Sequence, residues 1–427
     1  MSDACSVLAR GGDLIRPAFI FDEDRFVTSS TNLRLHLYDR TEAFGKDTRQ
    51  MRPPLWPATG VSNAKRLRAN AEPKACFQGQ NHGHEGFLLT PEWALGLFEE
   101  NVKYREVVLP FLTADDMLSA FPAAPKHYVI DFQPRDMRAA AKYATPFAII
   151  RKLVLPDRQK AAEQERERNS QALGDDPHAR VDCHHRRILK QWWLLTWPGE
   201  EMIQRINRLP RYMACGQVGN RPIFEFVSSN VRPSAACSVF PFADDYSFGI
   251  LQSDVWRTWF TARHYSIGEC LRHLAGAAFE TFPWPQSADL SNVLRVAKAS
   301  RRLRALRHKY MEEGGLSLRE LYGSVEPQGE NPLEQAHEEL DKAVRAAYKM
   351  RGRRDTFTAL LDLNLKLASR EAAGARIQGP GLPRIIGDLD DLSSTDGSEI
   401  QCLRGLDMAS AGHADGNSTV RTMNAAR

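Results

Sequence analysis

The hydrophobic period changes at Pro283-Trp284-Pro285, and the chain must fold differently on the two sides of it. Upstream lie short β-branched and aromatic runs: REVVLPFL at 105–112, HYVIDF at 127–132, RYMACGQV at 211–218, PIFEFV at 222–227 and ACSVFPF at 236–242. Turn residues separate them, with Gly219-Asn220-Arg221-Pro222 between two of the runs, so they read as strands. Thr90-Pro91-Glu92 opens a helix, with Thr90 as N-cap and Pro91 at the first helical position. Phe147, Ile150, Leu153 and Val154 indicate a second helix after Pro146, and Glu200 to Asn207 a third. A single helix is expected from Asp244 to Arg263, with Phe248, Leu251, Trp256 and Trp259 on its apolar side. Downstream the spacing is helical: Leu290, Val293, Leu294 and Ala297, then Leu303, Leu306 and Tyr310. LEQAHEELDKAVRAAY and a stretch over 355–373 continue it. Strands followed by helices imply an α+β fold, a β-rich domain with a helical C-terminal region.

A chain of 427 residues allows two to four domains at roughly 100–200 residues each. The composition suggests a poorly defined segment over 1–60, a β-rich domain over 61–286 and a helical domain over 287–374. A Gly-, Pro-, Ser- and Asp-rich tail over 375–427 is expected to be disordered. The formal charge is +4, which excludes a polybasic tail protein but not a nucleic-acid binder with its charge on one face. No apolar run approaches the ~18–20 residues that span a bilayer, and the N-terminus lacks a basic and then apolar leader. Seven scattered cysteines form neither a CxxC pair nor a disulfide framework. A cytoplasmic protein without a membrane partner is expected.

Motifs for chemistry are scarce. There is no GxxxxGK[ST], no GxSxG and no HExxH, and GQNHGHEG at 79–86 lacks the Lys and the context of a phosphate cradle. His82, His84 and Cys183-His184-His185 could supply metal ligands, but not at the paired spacing of structural zinc. Polar loops explain them as well, and adjacent His184 and His185 diverge on a helix. Trp192, Trp193 and Trp197 could stack on bases or form core. The charged segment 157–190 reads as a solvated helix or a linker. Arg295, Lys298, Arg301, Arg302, Arg304, Arg307 and Lys309 place seven basic residues in fifteen, with no acidic one. On a helix they could track phosphates or form an ordinary solvated face.

The order of segments resembles a known family. CFQGQNHGHEGFLLTPEWA at 76–94, NVKYREVVLPFLTADDM at 101–117 and HYVIDF at 127–132 are followed by YATPFAIIRKLVLPDR at 143–158 and Trp192-Trp193. FADDYSFGILQSDVWRTW at 242–259 and AFETFPWP at 278–285 come next. LRELYGSVEPQGENPLEQAHEELDKAVRAAYKM and LLDLNLKLASREAAG at 360–374 complete the series. Together they resemble MmeI-like type IIL adenine-specific DNA methyltransferases of restriction–modification systems and related phage-defence enzymes, from roughly Val61 to Gly374. The resemblance implies a target recognition domain followed by a C-terminal helical region. The family's methyltransferase signatures, a Gly-rich loop after a strand and [DN]PP[YF], have no counterpart here: Pro53-Pro54 lies between Arg52 and Leu55.

The resemblance therefore implies a sequence-specific double-stranded DNA recognition module without the catalytic region. A separate methyltransferase subunit, with a nuclease, would be its partner. No cofactor is expected on this chain; S-adenosylmethionine belongs to the partner. Arg211, Gln217, Asn220, Arg221 and Glu225 are the candidates for reading bases: Arg suits guanine, Asn or Gln adenine, and Glu cytosine. Lys65, Arg66, Arg68, Arg295, Lys298, Arg301, Arg302 and Arg304 are the candidates for phosphate contacts. Asp244 and Asp245 read as acidic residues at a helix N-terminus rather than as acid–base catalysts. The competing readings are a metal-dependent hydrolase built on the His cluster and a truncated, inactive remnant.

Overall fold

A computed structural model describes residues 63–119, 123–218, 221–267, 278–323, 331–350, 355–383 and 392. The chain divides into Met1–Pro57 and Ala58–Arg427, and every described residue belongs to the second unit. The expected N-terminal segment over 1–60 lies outside the described residues.

Two four-stranded sheets organise this unit. In the first, β1 (Phe77–Gln78), β5 (Arg211–Val218), β6 (Arg221–Ser228) and β8 (Ser238–Phe240) run in the order β1-β8-β5-β6, all antiparallel. In the second, β2 (Leu88–Leu89), β3 (Val108–Leu112), β4 (His127–Ile130) and β7 (Arg232–Pro233) run in the order β2-β4-β3-β7, with β3 and β7 parallel. The strands expected over 105–112, 127–132, 211–218, 222–227 and 236–242 are present in whole or in part, and the fold is α+β as expected. SSNV at 228–231, also expected as a strand, instead ends β6 at Ser228 and turns into β7.

The hairpin β5–β6 is the longest pairing, from Arg211↔Ser228 to Val218↔Arg221. Tyr212, Met213 and Ala214, like Phe226 and Val227, are buried on successive positions. Both faces are thus covered, which is why the run lacks the polar alternation of a half-exposed strand. Phe226 packs on Phe248 at a ring distance of 5.2 Å. Phe248 belongs to the first of two helices in the segment expected to be one.

Among the described residues the ten longest helices are α1 (Pro91–Glu100), α2 (Ala144–Leu153), α3 (Leu155–Asp175), α4 (His184–Lys190), α5 (Glu200–Ile206), α6 (Asp245–Gln252), α7 (Asp254–Ile267), α8 (Leu290–Gly314), α9 (Pro332–Ala347) and α10 (Thr356–Ala372). Thr90 Oγ1 accepts from Trp93 N at 3.3 Å and Pro91 opens α1, as the sequence indicated. Ser253 breaks the segment after Asp244 in two: its backbone is extended, its Oγ donates to Ile250 O at 2.7 Å and accepts from Trp256 N at 3.4 Å. One hydroxyl thus ends α6 and starts α7. The charged segment after Asp157 is helical, as α3 and α4, rather than a linker.

One hydrophobic core joins β5 and β6 to α6, α7, α8, α9 and α10; Tyr212, Phe248, Trp284, Val296, Leu340 and Leu360 all belong to it. Its side chains come from both sides of Pro285, Trp284 before it and Val293 after it. A second core under β2, β3 and β4 holds Phe87, Val129, Phe132, Ile150 and Trp192. The polypeptide crosses between the two sheets at close quarters. Gly79 N donates to Cys237 O and Gln80 N to Pro233 O, at 3.0 and 2.8 Å. A Cβ at Gly79 would lie 2.1 Å from Ser234 O, so only glycine fits this approach.

The disorder expected from residue 375 does not begin there. Gln378 N donates to Gln286 Oε1 at 3.0 Å, Gln286 Nε2 returns a bond to Gln378 O at 2.9 Å, and Leu392 is buried. Residues 384–391 and 393–427 lie outside the described residues.

Candidate nucleic-acid interface

The proposed base-reading residues have different environments. Arg211, at the start of β5, is buried: Nε donates to Ala243 O at 3.0 Å, Nη2 lies 3.7 Å from Asp245 Oδ1, and the guanidinium stacks 3.7 Å above the Phe226 ring. Glu225, on β6, accepts from Arg307 Nη1 at 2.9 Å. Burial raises its pKa, against the Arg307 charge that lowers it. Both side chains are committed to interior ion pairs, which corrects their assignment to the groove. Gln217 and Arg221 lie at the far end of the same hairpin, where the backbone pairs Gln217 with Pro222 and Val218 with Arg221. Asn220 lies outside the described residues.

Helix α8 carries the run of basic residues on two faces. Its buried positions are Val293, Val296, Ala297, Ser300, Leu303, Arg304, Arg307 and Met311, a spacing of three and four that faces the sheet. Arg304 and Arg307 therefore point inward. Arg304 Nη1 donates to Asp245 Oδ1 at 2.8 Å and Arg301 Nε to Asp245 Oδ2 at 3.0 Å. Asp245 is fully buried, and Asp244 beside it caps α6 by accepting from Ser247 N at 2.7 Å. A helix start was expected here; the meeting of Arg211, Arg301 and Arg304 on one carboxylate was not. Arg304 is thus a core ion-pair partner rather than a phosphate contact. Arg307 donates through Nη1 to Phe224 O at 3.0 Å and through Nε to Tyr322 Oη at 2.7 Å. Tyr322 Oη in turn lies 2.8 Å from His337 Nε2 on α9.

Arg295, Lys298 and Arg302 lie on the exposed face of α8. Arg302 spans to Glu339 of α9 at 2.6 Å. Lys65, Arg66 and Arg68 are also exposed, but on a segment tied to α10. Lys65 N donates to Asn364 Oδ1 and Arg68 N to Glu371 Oε2, both at 2.8 Å. Arg66 Nε lies 2.8 Å from Glu280 Oε2.

The tryptophans divide. Trp192 is core, 5.2 Å from the Phe147 ring, and Trp193 Nε1 donates to Arg135 O at 3.1 Å. Trp197 is 67% exposed, held by paired backbone bonds to Asn81 at 2.9 and 3.0 Å.

Among the described residues no group of three or more His, Cys, Asp or Glu side chains could hold a metal ion. His84 Nε2 pairs with Asp157 at 2.9 Å, and its Nδ1 accepts from Gly86 N at 2.9 Å. His82 packs edge-on against Phe111, while His184 and His185 meet each other on α4. The metal-hydrolase reading loses its ligand set among these residues. Sequence reasoning also passed over Arg186, Arg187 and Lys190 of α4, although helical spacing applied to HHRRILK would have grouped them. Among the described residues no helix is long and apolar enough to cross a membrane.

A solved structure of the type IIL restriction–modification enzyme MmeI in complex with DNA matches the fold, with a TM-score of 0.50 and 18% identity. The match covers 69% of this chain and 36% of that one, so the chain spans little more than a third of that enzyme's length. No family model and no curated protein matches the chain in sequence.

Proposed function

We propose that this chain is a sequence-specific double-stranded DNA recognition module of an adenine-N6 DNA methyltransferase from a restriction–modification or phage-defence system. The observation that carries the reading is the fold shared with a type IIL restriction–modification enzyme whose structure contains DNA. The collinear segments from Cys76 to Gly374 support it. Methyl transfer from S-adenosylmethionine, with extrusion of the target base, takes place on a separate methyltransferase domain or subunit. The far end of the β5–β6 hairpin, with Gln217, Asn220 and Arg221, reads base edges in the major groove. Lys65, Arg66, Arg68, Arg295, Lys298, Arg301 and Arg302 contact phosphates, which position the module without carrying sequence information.

Selection of duplex DNA from a random pool by the purified chain, at near-physiological salt, tests the reading. Enrichment of one short motif is expected. Uniform recovery of all sequences by a well-folded chain would remove the recognition role.

A further inference from the structure

Helix α4 carries the sequence His184-His185-Arg186-Arg187-Ile188-Leu189-Lys190. At about 100° per residue, Arg186, Arg187 and Lys190 fall within an arc of about 100°, and His185, Ile188 and Leu189 fall on the opposite side. Exposure follows the same division: the three cations are exposed and the other three residues are half-buried. The helix is amphipathic across a single turn or two.

A helix this short does not persist by itself in water. The long helix α3 fixes it. The buried Glu165 carboxylate accepts from His185 N at 2.6 Å and from Arg186 N at 3.0 Å, covering the first free N–H groups of α4. Asn169 grips Asp182 on both sides, donating to its carbonyl at 2.6 Å and accepting from its N–H at 3.1 Å. The nearby acidic groups are thereby engaged with backbone: Glu165 as above, and Asp182 Oδ1 with His184 N at 3.0 Å. No ion pair joins Arg186, Arg187 or Lys190 to a carboxylate among the described residues, whereas Arg302 and Lys309 of α8 have Glu339 and Glu313. Three exposed cations are thus presented on an anchored helix with no salt-bridge partner among the described residues.

We infer that the outer face of α4 is a second phosphate-contacting surface for duplex DNA, apart in sequence from the basic helix α8. The inference rests on the DNA-recognition reading above, and the argument for the occupant is charge complementarity: a row of exposed guanidinium and ammonium groups on an anchored helix fits a polyanion with regularly spaced phosphates.

The test uses the full chain and a fluorescent duplex carrying the selected motif, titrated between about 50 and 200 mM salt. Reversing all three cations (R186E/R187E/K190E) is expected to weaken binding to every duplex alike. The log–log salt slope should become shallower by about 2.7, at about 0.9 per phosphate lost. Neutralising them (R186Q/R187Q/K190Q) should give the same direction of change, with the circular dichroism spectrum of the wild type, which separates lost contacts from lost folding. Wild-type binding with an unchanged slope in both variants would overturn the inference and leave the recognition reading standing. A wild type that binds no duplex, but binds polyglutamate through these three residues, would assign the face to an acidic protein and overturn both.

Discussion

Helices α8 and α4 look alike as sequence, each a basic run, yet the fold places their cations differently. On α8 the apolar stripe and the arginines overlap, so Arg304 and Arg307 occupy inward positions and are neutralised by Asp245 and Glu225. On α4 the cations fall entirely outside the half-buried stripe and remain in solvent. A count of positive charges does not distinguish the two cases. The phase of those charges relative to the apolar residues does, because it decides whether burial or water meets the guanidinium.

The largest effect that would break this comparison comes from Asp245. Asp245→Asn leaves Arg304 and Arg211 buried without their carboxylate, and unfolding in urea should show a loss of about 3–5 kcal/mol. A loss under about 1 kcal/mol would mean that the inward arginines do not depend on that charge. Asp244, next to it, gives a smaller and pH-dependent effect. Burial lifts its carboxyl to about 6 from an ordinary 3.8. Between those values the folded chain holds a proton that the unfolded chain has released, so this group's contribution to stability falls as pH rises through the window and is fully lost above it. Asp244→Asn keeps an acceptor for the cap and removes the titration. Its thermal midpoint relative to wild type should therefore rise as pH goes from about 4 to 7, and a constant difference would refute the assignment. The smallest effect belongs to α4. R186Q/R187Q/K190Q should change unfolding free energy by no more than about 0.5 kcal/mol, since exposed unpaired cations stabilise nothing. A larger loss would place hidden packing under that face.

What could be read in advance follows the range of the interactions involved. The strands over 211–218 and 221–228 and the cap at Thr90 are local patterns, and they are where the sequence placed them. The helix break at Ser253 is local too, but it was masked because Phe248, Leu251, Trp256 and Trp259 keep helical spacing across it. Pairings such as Phe77↔Val239 and Phe111↔Arg232 join residues more than a hundred positions apart, and no nearby pattern signals them. The candidate site divides by the same rule. The helical position of the α8 cations was legible, whereas the ion pairs of Arg211 and Arg304 depend on α6 bringing Asp245 to them, and that of Glu225 on Arg307 of α8.

The close approach at Gly79 bears on how such a module can be inherited. Residues 232–240 pass from the second sheet, as β7, to the first, as β8, and residues 77–81 run beside them, pairing Phe77 with Val239 and bonding Gly79 to Cys237 and Gln80 to Pro233. A genetic crossover falling anywhere between them would combine one parent's Gly79 segment with the other's Ser234 segment, across a gap with no room for a side chain. A double crossover that exchanges only the hairpin leaves both segments with one parent, so the hairpin can be replaced without disturbing the close approach at Gly79.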